Sequence, residues 1–245
     1  YLTDAFTDHA IQMINEFSTN EAPFLVYVPY TAPHYPLHAK PKDIAKYKGQ
    51  FSKGWDELQK RRHQKTLELG LVNPDWNLPP REPEAQPWHK AKNKDWQNLV
   101  YAAMIDNVDQ NIGRILSAIK KSGEENNTLV LFLSDNGSCA ESPGGENNIA
   151  HVPGPKEYYS HVGPSWAYAQ NAPFRRYKSR MHEGGIATPL IAYWPKIIPK
   201  NSLTNQVGHI IDFLPTFLEI GNGSYPSKYK GQPILPAEGI SLLSV

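Results

Sequence analysis

Two runs of consecutive apolar residues constrain the fold of this chain more than any other feature. Residues 24–28 and 128–133 are rich in β-branched and aromatic side chains and lack the polar alternation of a half-exposed strand. Such runs predict strands buried on both faces, as in a parallel sheet. A third strand is predicted at residues 189–194.

Helical patterns separate these strands. Apolar residues recur near a 3.6-residue period after Thr3 and Asp4, through residues 95–122 before Gly123, and in residues 212–220, while residues 55–69 form a highly charged helical stretch. Strands that alternate with helices predict an α/β fold, with a mostly parallel central sheet flanked by helices. Residues 40–92 are predicted to be a helical and irregular excursion, because residues 73–87 contain five prolines.

Composition excludes several classes of function. The 25 Lys and Arg residues balance 24 Asp and Glu residues, so no basic surface for nucleic acid is indicated. No apolar run reaches the roughly 18 residues that a membrane span requires. The single cysteine, Cys139, rules out an internal disulfide and an all-cysteine zinc site.

Polar residues follow the first two predicted strands. Asp135 and Asn136 follow residues 128–133, and His34 lies in the proline-rich loop after residues 24–28. Ligands collect beyond the carboxyl ends of the strands in open α/β sheets. A carboxylate and an amide oxygen suit Ca²⁺ or Mg²⁺. The alternatives are an ordinary Asp-Asn-Gly turn and a hydrogen-bonded loop histidine.

Two further groups are candidates for reactive sites. Lys178 lies in a cationic segment, residues 173–178, ahead of a Gly-Gly turn, which predicts either an anion site or a solvated basic loop. A pair of Cys139 with a histidine would suit nucleophilic catalysis, and the candidate histidines are His34, His151 and His161, but no spacing in the sequence enforces such a contact. The tryptophans at positions 55, 76, 88 and 166 either line a pocket or anchor the core.

Five segments in order resemble the later half of the catalytic domain of type I sulfatases, in the alkaline-phosphatase-like superfamily. They contain Ala32-Pro33-His34, Ser134-Asp135-Asn136-Gly137 and Lys178 with Glu183-Gly184-Gly185. The other two segments are residues 101–113 and residues 209–216. The resemblance implies a sulfuric ester hydrolase with a partial alkaline-phosphatase-like α/β domain.

The resemblance also implies roles for individual residues. Asp135 and Asn136 would bind one Ca²⁺ ion, and His34 and Lys178 would be catalytic residues that contact the sulfate group. The substrate would be a small-molecule or carbohydrate sulfate ester. The protein would be periplasmic or secreted, or lysosomal if its source is eukaryotic.

The expected nucleophile does not lie in this sequence. Sulfatases make a formylglycine from a Cys/Ser-x-Pro/Ala-x-Arg element, and Cys139-Ala140-Glu141-Ser142-Pro143 departs from that pattern. The formylglycine is therefore expected in an N-terminal part of the same polypeptide, and residues 1–245 alone are expected to be inactive. Residues 1–238 would form the later part of the catalytic domain, and residues 239–245 would begin the link to a C-terminal subdomain.

Two alternative functions remain open from the sequence. One is a phosphodiesterase or phosphonate hydrolase of the same superfamily, which would bind two transition-metal ions. The other is a non-catalytic protein that binds sulfated glycans. The particular sulfate ester is not indicated by the sequence.

Overall fold

The computed structural model describes residues 1–91, 95–143 and 154–245. These residues form two compact units. The larger unit consists of Tyr1–Thr19 and Val26–Ile198, and the smaller unit consists of Asn20–Leu25 and Pro199–Val245. Within the described ranges, no helix is both long enough and apolar enough to cross a lipid bilayer.

The larger unit contains six α-helices. They are α1 (Leu2–Phe17), α2 (Pro41–Lys46), α3 (Gly54–Glu68), α4 (Asp95–Lys121), α5 (Gly163–Gln170) and α6 (Glu183–Ile186). Helices α1 and α2 pack against α4, and α3 packs against α5. Gly123, with φ of +84°, follows the end of α4, in the left-handed conformation that glycine adopts without strain.

The main core lies between α3, α4 and α5. Trp55 and Trp166 are fully buried, with their ring centroids 5.3 Å apart, and the edge-on ring of Trp88 completes the aromatic group. Trp55 Nε1 donates a hydrogen bond to the carbonyl oxygen of Gln86 over 2.9 Å, so its polar atom is satisfied. The proline-rich segment is therefore fastened to the core, although it contains no regular structure between residues 73 and 87.

The strands pair differently from the prediction of a mostly parallel sheet. Strand β1 (Val130–Leu133) pairs antiparallel with β2 (Leu190–Tyr193), and Val130 lies opposite Tyr193. The smaller unit contains β3 (Lys228–Tyr229) and β4 (Gln232–Pro233), which are also antiparallel. The α/β character predicted from the sequence is confirmed, but in the described residues both strand pairs are antiparallel.

The strand predicted at residues 24–28 is wrong. These residues have no regular structure, and Tyr27 is 84% exposed. No strand in the described part of the chain pairs with them, so the apolar run has no hydrogen-bonding ladder, although Phe24, Val26 and Val28 are half-buried. An apolar run forms a strand only where another strand lies beside it to pair with it.

The smaller unit is organised around helix α7 (Phe213–Ile220). The Asp212 carboxylate accepts hydrogen bonds from the backbone N–H of Ile240 over 2.9 Å and of His209 over 2.7 Å. These two bonds lower the pKa of Asp212. Asp212 occupies the N-cap position of this helix, but its side chain makes no cap bond to α7 and caps the preceding turn, residues 210–212.

Candidate active site

The structure brings His34 and Lys178 together across 144 residues of sequence. Lys178 Nζ lies 3.1 Å from His34 Nε2, and His34 Nδ1 lies 3.0 Å from the carbonyl oxygen of Tyr35. A carbonyl oxygen only accepts and an ammonium group only donates, so both contacts are satisfied when Nδ1 carries the imidazole proton. In that tautomer the lone pair of His34 Nε2 faces the lysine cation.

Lys178 lies in residues 173–185, here called the lysine loop, and this loop is held by backbone contacts. The Lys178 N–H donates to the Ser138 carbonyl oxygen over 3.0 Å, and the Gly184 N–H donates to the Arg175 carbonyl oxygen over 2.8 Å. Arg176 and Ser179 adopt left-handed conformations, with φ of +66° and +70°. Non-glycine residues rarely adopt this conformation, so the fold imposes the path of the chain on either side of the lysine.

The Asp135-Asn136 turn and the lysine loop are in direct contact. The Gly137 N–H donates to the Gly185 carbonyl oxygen over 3.2 Å. A Cβ at position 137 would lie 2.8 Å from the Gly184 carbonyl carbon and closer still to its oxygen. Only a residue without a side chain permits this approach, so Gly137 determines how closely the two segments meet.

Asn171 joins the same two segments from the end of α5. Its Oδ1 accepts from the Ser138 N–H over 2.9 Å, and its Nδ2 donates to the Arg176 carbonyl oxygen over 3.0 Å. The neighbouring Gln170 hydrogen-bonds the Ser138 hydroxyl and donates to Asn98 Oδ1 on α4 over 2.7 Å. Sequence reasoning missed Asn171, since a lone asparagine after a helix carries no specific signal.

Asp135 and Asn136 provide part of a hard-cation site. The Asp135 side chain is exposed at the end of β1. Asn136 Nδ2 donates to the Gly137 carbonyl oxygen over 3.0 Å, which leaves its Oδ1 free to act as a ligand. This donor set suits Ca²⁺, but Ca²⁺ takes six to eight oxygen atoms. The remaining ligands would have to come from other groups.

Glu141 is a charged residue of the site that the sequence did not predict. Its carboxylate accepts a hydrogen bond from the Tyr35 hydroxyl over 2.7 Å and lies 3.8 Å from Lys178 Nζ. The bond to Tyr35 lowers the pKa of Glu141, and the same carboxylate raises the pKa of Tyr35 to about 12. Glu141 therefore places a negative charge beside the His34–Lys178 pair.

The three histidines considered as partners of Cys139 fall in different places. A nitrogen of His34, the Cys139 sulfur and a Glu141 oxygen all lie within 4.8 Å of one another. Burial raises the pKa of the Cys139 thiol, which makes it a poor nucleophile. His161 is buried, and its carbonyl oxygen accepts from Gln97 on α4. His151 lies outside the described residues.

Comparison with known proteins shows the family of this chain. The sulfatase family model matches residues 1–223. An uncharacterized sulfatase of Schizosaccharomyces pombe is 31% identical over 98% of this chain and 46% of its own length. An arylsulfatase of Klebsiella aerogenes is 30% identical over 92% of this chain and 52% of its own length. The chain thus spans about half the length of these relatives.

Solved structures show the same fold. The crystal structure of Ps i-CgsB in complex with k-i-k-neocarrahexaose matches with a TM-score of 0.62 and 22% identity, over 100% of this chain and 38% of that one. A protein solved in complex with its substrate D-glucosamine-2-N,6-O-disulfate matches with a TM-score of 0.55 and 20% identity. That match covers 98% of this chain and 53% of the other.

Proposed function

Because this chain belongs to the sulfatase family, we propose that the intact protein is a hydrolase that cleaves sulfate esters. The observation that carries the proposal is the 3.1 Å contact between His34 Nε2 and Lys178 Nζ, within a family match that covers residues 1–223. A sulfate ester offers its enzyme oxygen atoms that carry negative charge. In this arrangement a cation, Lys178, and an imidazole that can relay a proton, His34, lie together where such a group would bind.

Lys178 and His34 have separable roles in the proposed reaction. Lys178 Nζ, which donates to His34 Nε2 in the free protein, donates to a sulfate oxygen when the substrate is bound and stabilises its charge. Release from the lysine frees the lone pair of His34 Nε2, which takes up a proton from solvent, and the imidazolium then gives that proton to the leaving-group oxygen as the S–O bond breaks. Glu141 keeps a compensating negative charge beside the lysine when the site is empty.

We propose that Asp135 and Asn136 bind one Ca²⁺ ion. When bound, the ion would neutralise charge on the sulfate oxygens. The proposed nucleophile is a formylglycine outside residues 1–245, in line with the absence of a matching Cys/Ser-x-Pro/Ala-x-Arg element from this sequence. Residues 1–238 would then be the later part of the catalytic domain, and residues 239–245 the start of the link to a further subdomain.

We propose a carbohydrate sulfate ester as the substrate class and a secreted or periplasmic location. Two proteins of the same fold were solved with k-i-k-neocarrahexaose and with D-glucosamine-2-N,6-O-disulfate, which supports the substrate class. The location follows from the resemblance to secreted sulfatases.

Substitution of the paired residues tests the reaction. In the intact protein, His34→Ala and Lys178→Ala should each lower kcat on 4-nitrophenyl sulfate by at least about a hundredfold, as for other preorganised charge-stabilising groups. Lys196→Ala removes an exposed lysine far along the chain and should leave kcat unchanged. Near-normal turnover in both site variants would refute the assignment.

The metal proposal needs its own measurement. Dialysis of the intact protein against EGTA should abolish turnover, and Ca²⁺ should restore it. Asp135→Asn should weaken Ca²⁺ binding, measured by isothermal titration calorimetry, since it removes a charged ligand. An unchanged Ca²⁺ affinity in Asp135→Asn would place the ion elsewhere.

A further inference from the structure

A groove lies between the proline-rich segment and the lysine loop. Its volume is about 610 Å³, within the range of small-molecule sites, and its walls come from residues 75–79 and 173–183. Trp76 lies in one wall with 47% of its surface exposed, whereas Trp55 and Trp166 are fully buried in the core. Trp76 is therefore not one of the buried tryptophans that stabilise the fold.

Trp76 and Phe174 form an aromatic platform across the groove. Their ring centroids lie 5.8 Å apart, and the ring planes are inclined by 60°. Rings at this angle leave much of the indole face uncovered. The backbone of Trp76 is held in a turn, because its N–H donates to the Asn73 carbonyl oxygen over 3.1 Å. An exposed indole beside a second aromatic ring is typical of a binding surface.

The polar residues of the groove restrict what it can bind. Asp75, Asn77 and Glu183 are exposed beside the aromatic platform and offer hydrogen-bonding groups. Arg175 adds a cation, so the groove carries charges of both signs and does not suit a polyanion. A sugar ring fits this combination, since its C–H face packs on an aromatic ring while its hydroxyl groups bond at the edge.

The groove borders the proposed sulfate site. Glu183 in its wall directly precedes Gly184, whose carbonyl group abuts Gly137 at the end of the Asp135-Asn136 turn. Phe174 and Arg175 lie three to four residues before Lys178 in the same loop. Because adjacent Cα atoms are about 3.8 Å apart, the Cα atoms of Phe174 and Lys178 lie at most about 15 Å apart, a distance that a short oligosaccharide spans.

We propose that this groove binds a sugar unit adjoining the one that carries the scissile sulfate, with Trp76 as its stacking residue. The proposal rests on the proposed sulfatase function, and it makes the substrate an oligosaccharide sulfate ester. Trp76 is a binding residue in this assignment and does not touch the reacting atoms.

The test compares a long and a short substrate on the intact protein. The long substrates are sulfated hexasaccharides from heparin, chondroitin sulfate and carrageenan, and the short one is 4-nitrophenyl sulfate. Trp76→Ala should lower kcat/KM on the hexasaccharide that wild type hydrolyses best by about fivefold, mainly through KM, because stacking contributes about 1 kcal/mol. Its kcat/KM on 4-nitrophenyl sulfate should change less than twofold.

Two further variants separate binding from folding. Trp76→Phe retains a stacking ring and should recover most of the hexasaccharide activity. The control is Leu71→Ala, just before the proline-rich segment. Leu71 is 49% exposed and lies outside the groove, so this variant should behave as wild type on both substrates. If Trp76→Ala fails to fold, the Trp76→Phe and Phe174→Leu variants provide the comparison.

Each result decides one of the two proposals. Equal loss on both substrates, no loss on either, or hydrolysis of 4-nitrophenyl sulfate but of none of the hexasaccharides would overturn the sugar groove. If wild type hydrolyses no sulfate ester, the proposed function fails, and calorimetric binding of the same hexasaccharides then decides the groove. Weaker binding by Trp76→Ala would support it, and equal or absent binding would overturn it.

Discussion

Replacement of Gly137 by alanine tests whether the close contact between the Asp135-Asn136 turn and the lysine loop organises the site. The new Cβ would lie 2.8 Å from the Gly184 carbonyl carbon and closer to its oxygen. Non-bonded carbon atoms settle about 3.5–4.0 Å apart, so the two backbones would have to separate by about 1 Å. The Cβ is fixed directly to the backbone, and the Gly184 carbonyl is itself backbone, so no side-chain rotation relieves the clash.

The expected cost follows from two contributions. Overpacking of this kind costs roughly 2 kcal/mol, within the range found for cores that must shift their backbone. Separation would also break the 3.2 Å hydrogen bond from the Gly137 N–H to the Gly185 carbonyl oxygen, which contributes about 1 kcal/mol. We therefore expect Gly137→Ala to lower the free energy of unfolding by about 3 kcal/mol.

Urea unfolding followed by tryptophan fluorescence measures this change. Gly113→Ala is the matched control, because a Cβ at position 113 in α4 meets nothing within 4 Å. It should raise the free energy of unfolding by about 0.5–1 kcal/mol, since alanine favours a helix over glycine. In the intact protein, Gly137→Ala should also lower kcat by about a hundredfold, because a shift of 1 Å misplaces Lys178.

The reasoning is refuted if Gly137→Ala unfolds within 0.5 kcal/mol of wild type and keeps its turnover. A loss of stability in Gly113→Ala of similar size would also refute it. In that case alanine itself, and not the contact with Gly184, would account for the effect.

Three other predictions concern charged groups. Glu82→Ala should destabilise the protein by about 2 kcal/mol in urea unfolding, because it removes a buried carboxylate that pairs with two arginine side chains. The control is Glu84→Ala, at a side chain that is 43% exposed, which should cost less than about 1 kcal/mol. Glu141→Gln should lower the Tyr35 pKa from about 12 toward 10 in an NMR titration, and an unchanged value would contradict the assigned hydrogen bond. Because the pKa of Asp212 is lowered in the fold, its ionised form stabilises the protein above pH 4, and this stabilisation is lost as the pH falls through the folded-state pKa. The difference in urea unfolding between wild type and Asp212→Asn at pH 7 should therefore shrink as the pH falls below 4, and a constant difference would contradict this.

The helices were predictable because their signals are local. The prediction of residues 95–122 matches α4 at Asp95–Lys121, and residues 55–69 match α3 at Gly54–Glu68. Apolar spacing and a terminal glycine act within a few turns of the chain, whatever surrounds it. Strand β1 was also predicted within two residues of its observed start.

The pairing of strands was not predictable to the same degree. Residues 24–28 have the same apolar character as β1, yet they form no strand, and β1 pairs antiparallel with β2. Strand identity and direction depend on which segments the fold places side by side. A single apolar run carries no information about its neighbour.

The sequence by itself determined the chemistry that the site offers: an imidazole at position 34, an ammonium group at position 178, and two oxygen donors at positions 135 and 136. Tertiary structure decided that the first two meet at 3.1 Å, that His34 Nδ1 lies 3.0 Å from the Tyr35 carbonyl oxygen, and that Glu141 joins them. Residue identity fixes charge and donor type, which are local properties. The approach of His34 to Lys178, which are 144 residues apart, depends on the path of the chain. That path is set here by hydrogen bonds and by the contact between Gly137 and Gly184, which leaves no space for a side chain.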